Sequence, residues 1–169
     1  HNTYTQTYTD HIRTFTLNNS GSQLSFSNNQ AVTDAVHLHR RDYNLLPQIF
    51  PDGNRGFTIS SGVFQVAQDL PFLYPVDIKP GGHTAITGFN QYLSNYHSAK
   101  AVLFDSVNNA THNLFFGGMS QYYYSNGSLI KDDAVPFVKT ISRVSRSSDG
   151  SLTEYQLATE MPGLKGASA

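Results

Sequence analysis

His37 and His39 are the first residues of this chain whose types and spacing could do chemistry. Two apart on a strand, they would share one face, and such an imidazole pair can ligate zinc or copper. A metal site needs further ligands, and none follows nearby, so the pair reads equally as surface or interface histidines. Asp132-Asp133 sets two carboxylates in a polar stretch. Calcium wants several oxygens at once; without an Asp-x-Asp-x-Asp-Gly loop, the pair reads as solvated. Arg40-Arg41-Asp42-Tyr43 is the densest polar cluster. Its guanidinium forks could hold an anionic ligand, or could form an ion pair between packed units. His97 reads as a hydrogen-bonding residue between units rather than a base, since a base needs a substrate proton within reach. Tyr122-Tyr123-Tyr124 could stack on sugars or contact a protein, because Tyr offers a large contact area at low entropy cost. On a strand, alternating tyrosines are half buried in any case.

No Gly-x-Ser-x-Gly elbow, phosphate loop or dinucleotide fingerprint occurs. No acid pair has a spacing that suggests glycoside hydrolysis. The residues therefore name no catalytic, cofactor or metal site, and an enzyme is the less favoured reading. Asn18-Asn19-Ser20, Asn109-Ala110-Thr111 and Asn126-Gly127-Ser128 fit the N-glycosylation pattern, and Asp105-Ser106-Val107 a short O-glycosylation one; such motifs are common by chance.

The 169 residues suit one domain or a piece of one. The 11 Phe and 10 Tyr carry much of the available burial in a chain that is only 38% hydrophobic. A net charge of −1 provides no basic face for nucleic acid. The absence of cysteine excludes disulfides and zinc–thiolate sites. No apolar run reaches the ~18 residues of a membrane span, and the first ten residues have neither the basic end nor the apolar stretch of a signal peptide. Abundant Asn, Ser, Thr, Gln and Tyr with few Lys and Glu resemble extracellular β-proteins.

These residues must be positioned by strands. Segment 88–100 is the most helix-like stretch, and its Tyr, Phe and Asn content suits strands better. Alternating runs at 11–17 and 23–27 flank Asn18-Asn19-Ser20-Gly21 and read as a polar antiparallel hairpin. Segments 139–146 and 152–157 repeat that design around Ser147-Ser148-Asp149-Gly150. Between these pairs one pattern occurs twice. Arg40-Arg41-Asp42-Tyr43-Asn44 leads to Pro51-Asp52-Gly53 and on to Ser60-Ser61-Gly62. Ser94-Asn95-Tyr96-His97-Ser98 leads to Asn108-Asn109 and then Leu114-Phe115-Phe116-Gly117-Gly118. A repeat of this length, made of short strands, points to a propeller or array. The expected order is a polar pair (11–27), an apolar pair (about 40–64), a middle pair (about 70–93), an apolar pair (about 96–119) and a polar pair (137–157), with an insertion at 121–136. Gly62, Gly117 and Gly118 end strands where a side chain would clash or φ is positive.

Tyr96-His97-Ser98-Ala99 followed by Leu114-Phe115-Phe116-Gly117-Gly118 resembles the kelch repeat. Arg40-Arg41-Asp42-Tyr43 with Ser61-Gly62 resembles a degenerate copy, and Pro162 with Lys165-Gly166-Ala167-Ser168-Ala169 the opening of another. The late Trp of many kelch units is missing. Over most of its length the chain also resembles exported kelch-like proteins of Bacteroidota-type bacteria, through Arg41-Asp42-Tyr43-Asn44-Leu45-Leu46-Pro47, Phe89-Asn90-Gln91-Tyr92-Leu93 and Phe115-Phe116-Gly117-Gly118-Met119.

The resemblance implies an all-β, kelch-type β-propeller fragment of two to three four-stranded antiparallel blades. Residues 11–27 would end one blade, 40–93 form a second, 96–157 a third, and 162–169 open a further one, with more blades outside this sequence. It also implies a secreted or cell-surface scaffold of a Gram-negative bacterium, without cofactor, presenting loops to a protein or glycan partner. Arg40, Arg41, Tyr122, Tyr123 and Tyr124 are the expected contacts. The alternatives are a carbohydrate-active enzyme with its site at the propeller mouth, or a structural subunit of a surface assembly.

Overall fold

The computed structural model describes residues 7–163, so most of the segment expected to open a further unit, 162–169, lies outside the described residues. Those residues form strands, turns and irregular loops without a helix, and no helix is long and apolar enough to cross a membrane. β1 (His11–Asn19) and β2 (Leu24–Thr33) make a separate two-stranded hairpin. β3 (Asn44–Ile49), β4 (Arg55–Ser60), β5 (Val76–Lys79) and β6 (Gly82–Ala85) form sheet I in that order. β7 (Ala99–Asp105), β8 (Ala110–Met119), β11 (Phe137–Arg146) and β12 (Leu152–Glu160) form sheet II as a second antiparallel meander. The small hairpin of β9 (Tyr122–Ser125) and β10 (Ser128–Lys131) is inserted between β8 and β11. The protein is all-β, and its two four-stranded sheets stand side by side without closing a ring.

Turn chemistry sets these meanders. At Asp52-Gly53 the glycine takes φ +79° and donates its N–H to Phe50, while the Asp52 carboxylate accepts from the Asn54 N–H. Two segments differ from the expected pattern. The middle pair is confined to 76–85, and 86–98 runs as an irregular loop until its backbone pairs at Tyr96. Residues 34–38, with His37, form a turn rather than a strand.

Strand alternation gives each sheet two faces. The leading face of sheet I carries Asn44, Leu46 and Gln48 from β3, with Thr58, Ser60 and Asp77 opposite them in register. It packs against the trailing face of sheet II, where Leu46, Phe115 and Val144 are buried together with Phe89, Val102 and Leu152 at their margin. Burying a side chain such as Leu46 or Phe115 contributes about 1.5–3 kcal/mol. Polar groups lock the same interface. Arg146 meets Asp77 at 2.7 Å with both side chains only 7% exposed, Thr58 donates to the same carboxylate, and Gln48 donates to Asn113 at 2.8 Å. On the trailing face of sheet I, Ile59 and Val76 pack with Leu38 and with Ile12 of the hairpin.

The twice-used sequence segment is a twice-used backbone. Asp42 and His97 take φ +57° and +55° just before β3 and β7. Ser61 and Gly117 take +48° and +64°, and Gly62 and Gly118 take +95° and +97°. The bridges Arg41↔Val63 and Tyr96↔Met119 sit at the same place in each copy. A Cβ on Gly62 would lie 2.8 Å from the Tyr43 Cβ, and one on Gly118 would lie 2.6 Å from the Tyr96 carbonyl and meet the Ser98 side chain. Gly62, just after β4, and Gly118, near the end of β8, are glycines for one reason: the segment opposite approaches too closely for a side chain.

Candidate functional site at the glycine end

The ends of β4 and β8, the starts of β3 and β7, and the inserted hairpin meet at one end of the two sheets. Val63, Tyr96 and Val135 are buried together there, with Phe64, Leu70 and Met119 packed around them. This small core ties the loop after β4, the entry to β7 and the base of the insertion into one platform. Two further ties fasten the insertion. Asn95 accepts from the Gln121 N–H at 2.9 Å, and Gln121 donates to Asp133 at 2.7 Å.

The side chains on this platform are aromatic and charged. Arg41 lies over the Phe64 ring at 4.5 Å and 3.4 Å from Asp42. Asp42 also faces His97 across the two sheets, at 3.7 Å. Tyr96 stands beside His97, with ring centroids 5.3 Å apart. Burial pushes the Tyr96 phenol above its ordinary value; Asp42 adds to that shift and Arg41 opposes it. The Gln121 hydrogen bond, with Lys131 beside it, holds Asp133 below the usual carboxylate range.

Two shallow grooves flank the platform. One, of about 330 Å³, is lined by Tyr8, His39, Arg41, Phe64 and Asp69 among others. The other, of about 360 Å³, runs between Tyr123 and Tyr124 of the insertion and the start of β11, with Lys139 and Glu160 on its far wall. A larger apolar groove of about 500 Å³ lies at the opposite end, between Pro47 and Phe57 of sheet I and Val102 and Phe104 of sheet II. Two of its polar side chains, Gln48 and Thr111, are already engaged with Asn113 and the Ile49 carbonyl, which leaves less for orienting a ligand.

The structure distributes the expected contact residues unevenly. Arg40 is buried, with Nε donating to the His37 carbonyl and Nη1 to the carbonyls of Ser61 and Tyr74. Its guanidinium sits 4.0 Å over Phe72, and burial lowers its pKa to about 10. Arg40 therefore fastens strand ends together, while Arg41 reaches the platform. Tyr122 is half-buried edge-on against Tyr92 at 4.8 Å. Tyr123 and Tyr124 line the second groove. His37 and His39 go to different partners, Tyr74 and Asp10, because their segment turns instead of running as a strand. Among the described residues no group of three His, Cys, Asp or Glu side chains is placed to hold a metal. Asp132 caps the turn at Ala134, and Asp133 is held by Gln121 and Lys131.

Residue-type reasoning missed Phe64, Tyr96 and the pairing of Asp42 with His97. The signal was present in the repeat: Asp42 and His97 occupy equivalent positions, so adjacent copies bring them together. No family model matches the chain, and no curated protein or solved structure does.

Proposed function

We propose that this chain is part of a non-catalytic β-propeller scaffold, of the kelch type its sequence resembles, whose glycine end binds a protein or glycan partner. Two consecutive four-stranded antiparallel meanders with matching glycine ends support the propeller reading. The observation that carries the binding reading is the platform itself. One buried core holds Arg41, Tyr96, His97 and the tyrosine-bearing insertion at the same end of two rigid sheets. Loops held by a rigid scaffold are where binding residues concentrate, and tyrosines with a nearby arginine suit both sugar stacking and protein contact. Abundant Asn, Ser, Thr, Gln and Tyr with few Lys and Glu, and the resemblance to exported kelch-like proteins, support a secreted or cell-surface location.

The test is a glycan array paired with a display library of folded protein domains, probed with wild-type chain and with Arg41→Ala, Tyr123→Ala and Tyr124→Ala. Selective binding that weakens about tenfold or more in these variants is the expected result. Binding indifferent to all three, or turnover of any bound glycan, overturns the reading.

A further inference from the structure

The tip of the inserted hairpin carries the one asparagine of the chain that a glycine follows, Asn126-Gly127. The pair is the two-residue turn between β9 and β10. Ser125 faces Ser128 in register, and Asn126 and Gly127 take φ +51° and +78°, the type I′ geometry that favours this dipeptide. Asn126-Gly127-Ser128 shares its sequence pattern with two other segments, and the structure separates the three. Asn18 donates its side-chain amide to the Ser27 hydroxyl at 3.1 Å. Asn109 donates to the Pro51 carbonyl at 3.0 Å, and the Thr111 hydroxyl to the Ile49 carbonyl. Asn126, Gly127 and Ser128 are exposed. Among the described residues, neither the Asn126 carboxamide nor the Gly127 N–H has a hydrogen-bond partner.

Two further features make this turn reactive. A side chain on residue 127 would shield its backbone nitrogen. Glycine has none, and apart from its chain neighbours no atom lies within 4 Å of where a Cβ would stand. β9 and β10 are four residues each and pair only with one another. An isolated two-stranded hairpin is marginal in water, so the turn opens readily and lets the Gly127 nitrogen swing onto the Asn126 side chain. Asn19, in the β1–β2 turn, differs on both counts: Ser20 follows it, and its Oδ1 accepts the Gly21 N–H at 2.8 Å.

We infer that Asn126 is a site of spontaneous deamidation, at which the insertion changes both its charge and its backbone length. The Gly127 nitrogen attacks Cγ of Asn126 and forms the N–Cγ bond. The Cγ–Nδ2 bond breaks, and Nδ2 leaves as ammonia with the proton from the Gly127 N–H. Water then opens the cyclic imide. Attack at Cγ gives aspartate; attack at the main-chain carbonyl carbon of residue 126 gives isoaspartate, with an extra methylene in the backbone. Either product adds one negative charge to a chain of net charge −1. Isoaspartate also lengthens a turn whose length sets the register of its strands. Tyr124↔Leu129 and Tyr123↔Ile130 depend on that register, so this product re-seats both tyrosines. The inference does not depend on the glycine-end reading, since the reaction needs no partner.

Peptide mapping by mass spectrometry of the folded chain, incubated at neutral and mildly alkaline pH, reads every asparagine at once. Asn126 should convert before any other and yield both aspartate and isoaspartate. Conversion should speed up as pH rises, because the attacking nitrogen must lose its proton. Gly127→Ala should slow it, although this change strains the turn, because a methyl group then shields the nitrogen. The isoaspartate form, separated by ion exchange, should show faster amide exchange in β9 and β10 than the Asn126→Asp variant, which carries the charge without the methylene. Three results overturn the inference: Asn126 intact when Asn19 or Asn109 has converted, Gly127→Ala converting as fast as wild type, or an isoaspartate form whose exchange matches that of Asn126→Asp. The map is read without a partner, so failure of the glycine-end reading leaves its result unchanged.

Discussion

The contact between sheets I and II and the β1–β2 hairpin are built from the same kind of alternating strand, yet they differ in nearly every physical respect. At the contact, Leu46 and Phe115 are at most 1% exposed and a buried ion pair is closed by Asp77 and Arg146. In the hairpin, every residue of β2 is exposed. The contact has two sheets to share its apolar faces, whereas the hairpin has one strand pair, and an isolated two-stranded hairpin is marginal in water. Alternation therefore dictates which side chains point together, and the presence of a second sheet dictates whether pointing together yields stability.

That comparison can be broken at several places. Phe115→Ala should cost about 3–5 kcal/mol, since it leaves a cavity in the middle of the contact; urea unfolding would show it, and a loss under 1 kcal/mol would mean the sheets are not mutually stabilising. Arg146→Ala should cost a similar ~3–5 kcal/mol, because Asp77 is left as a buried, uncompensated carboxylate. Gly118→Ala should cost about 1–3 kcal/mol from a positive-φ alanine pressed on the Tyr96 carbonyl. Gly127→Ala, in open space at φ +78°, should cost about 1–2 kcal/mol, from the left-handed backbone alone.

Protonation gives another way to probe the contact. Glu154 of β12 accepts the N–H groups of Tyr92 and Leu93, at 2.8 and 3.0 Å, and so pins the loop that leaves sheet I. Burial raises its pKa from 4.5 to about 7, against the pull of those two donors. The folded state thus holds the proton more tightly than the unfolded chain. The associated stability is fully present below about pH 4.5 and is lost as pH rises through about 7. We expect a loss of about 2 kcal/mol between pH 5 and 8, flattened in Glu154→Gln, in urea midpoints measured across that range. Asp34 acts oppositely: burial works against ionisation, but hydrogen bonds from the backbone of His37 and Val36 and from His83 hold it at about 2. Its contribution is present above about pH 4 and fades as pH falls toward 2.

The smallest effect belongs to the hairpin. Leu24→Ser should change stability by no more than about 0.5 kcal/mol, and amide exchange should be fast along β1 and β2 and slow in β8 and β11. Slow exchange in the hairpin would mean that its exposed apolar side is covered.

Much of the fold was legible. Alternating runs around Asn-Asn-Ser-Gly and Ser-Ser-Asp-Gly marked the outer pairs, and the repeated glycines marked the strand ends, because turns and positive φ leave direct traces in residue type. The irregular loop at 86–98 was not legible. Its polar groups are satisfied by distant partners such as Glu154 rather than by a neighbouring strand. The split between Arg40 and Arg41 was equally hidden: adjacent residues point to opposite sides, and which side is the interior depends on Phe72 and Tyr74 lying over one of them.

By itself, then, the sequence determined an all-β chain of paired strands, the repeat, and the crowded glycine ends, since all of these follow from local backbone preference and alternation. Only the tertiary structure decided that Asp77 meets Arg146, and that Val63, Tyr96 and Val135 share one core beneath the tyrosine insertion. Each of those contacts joins residues far apart in the chain, and no local preference encodes which strand ends a packed pair of sheets will bring together.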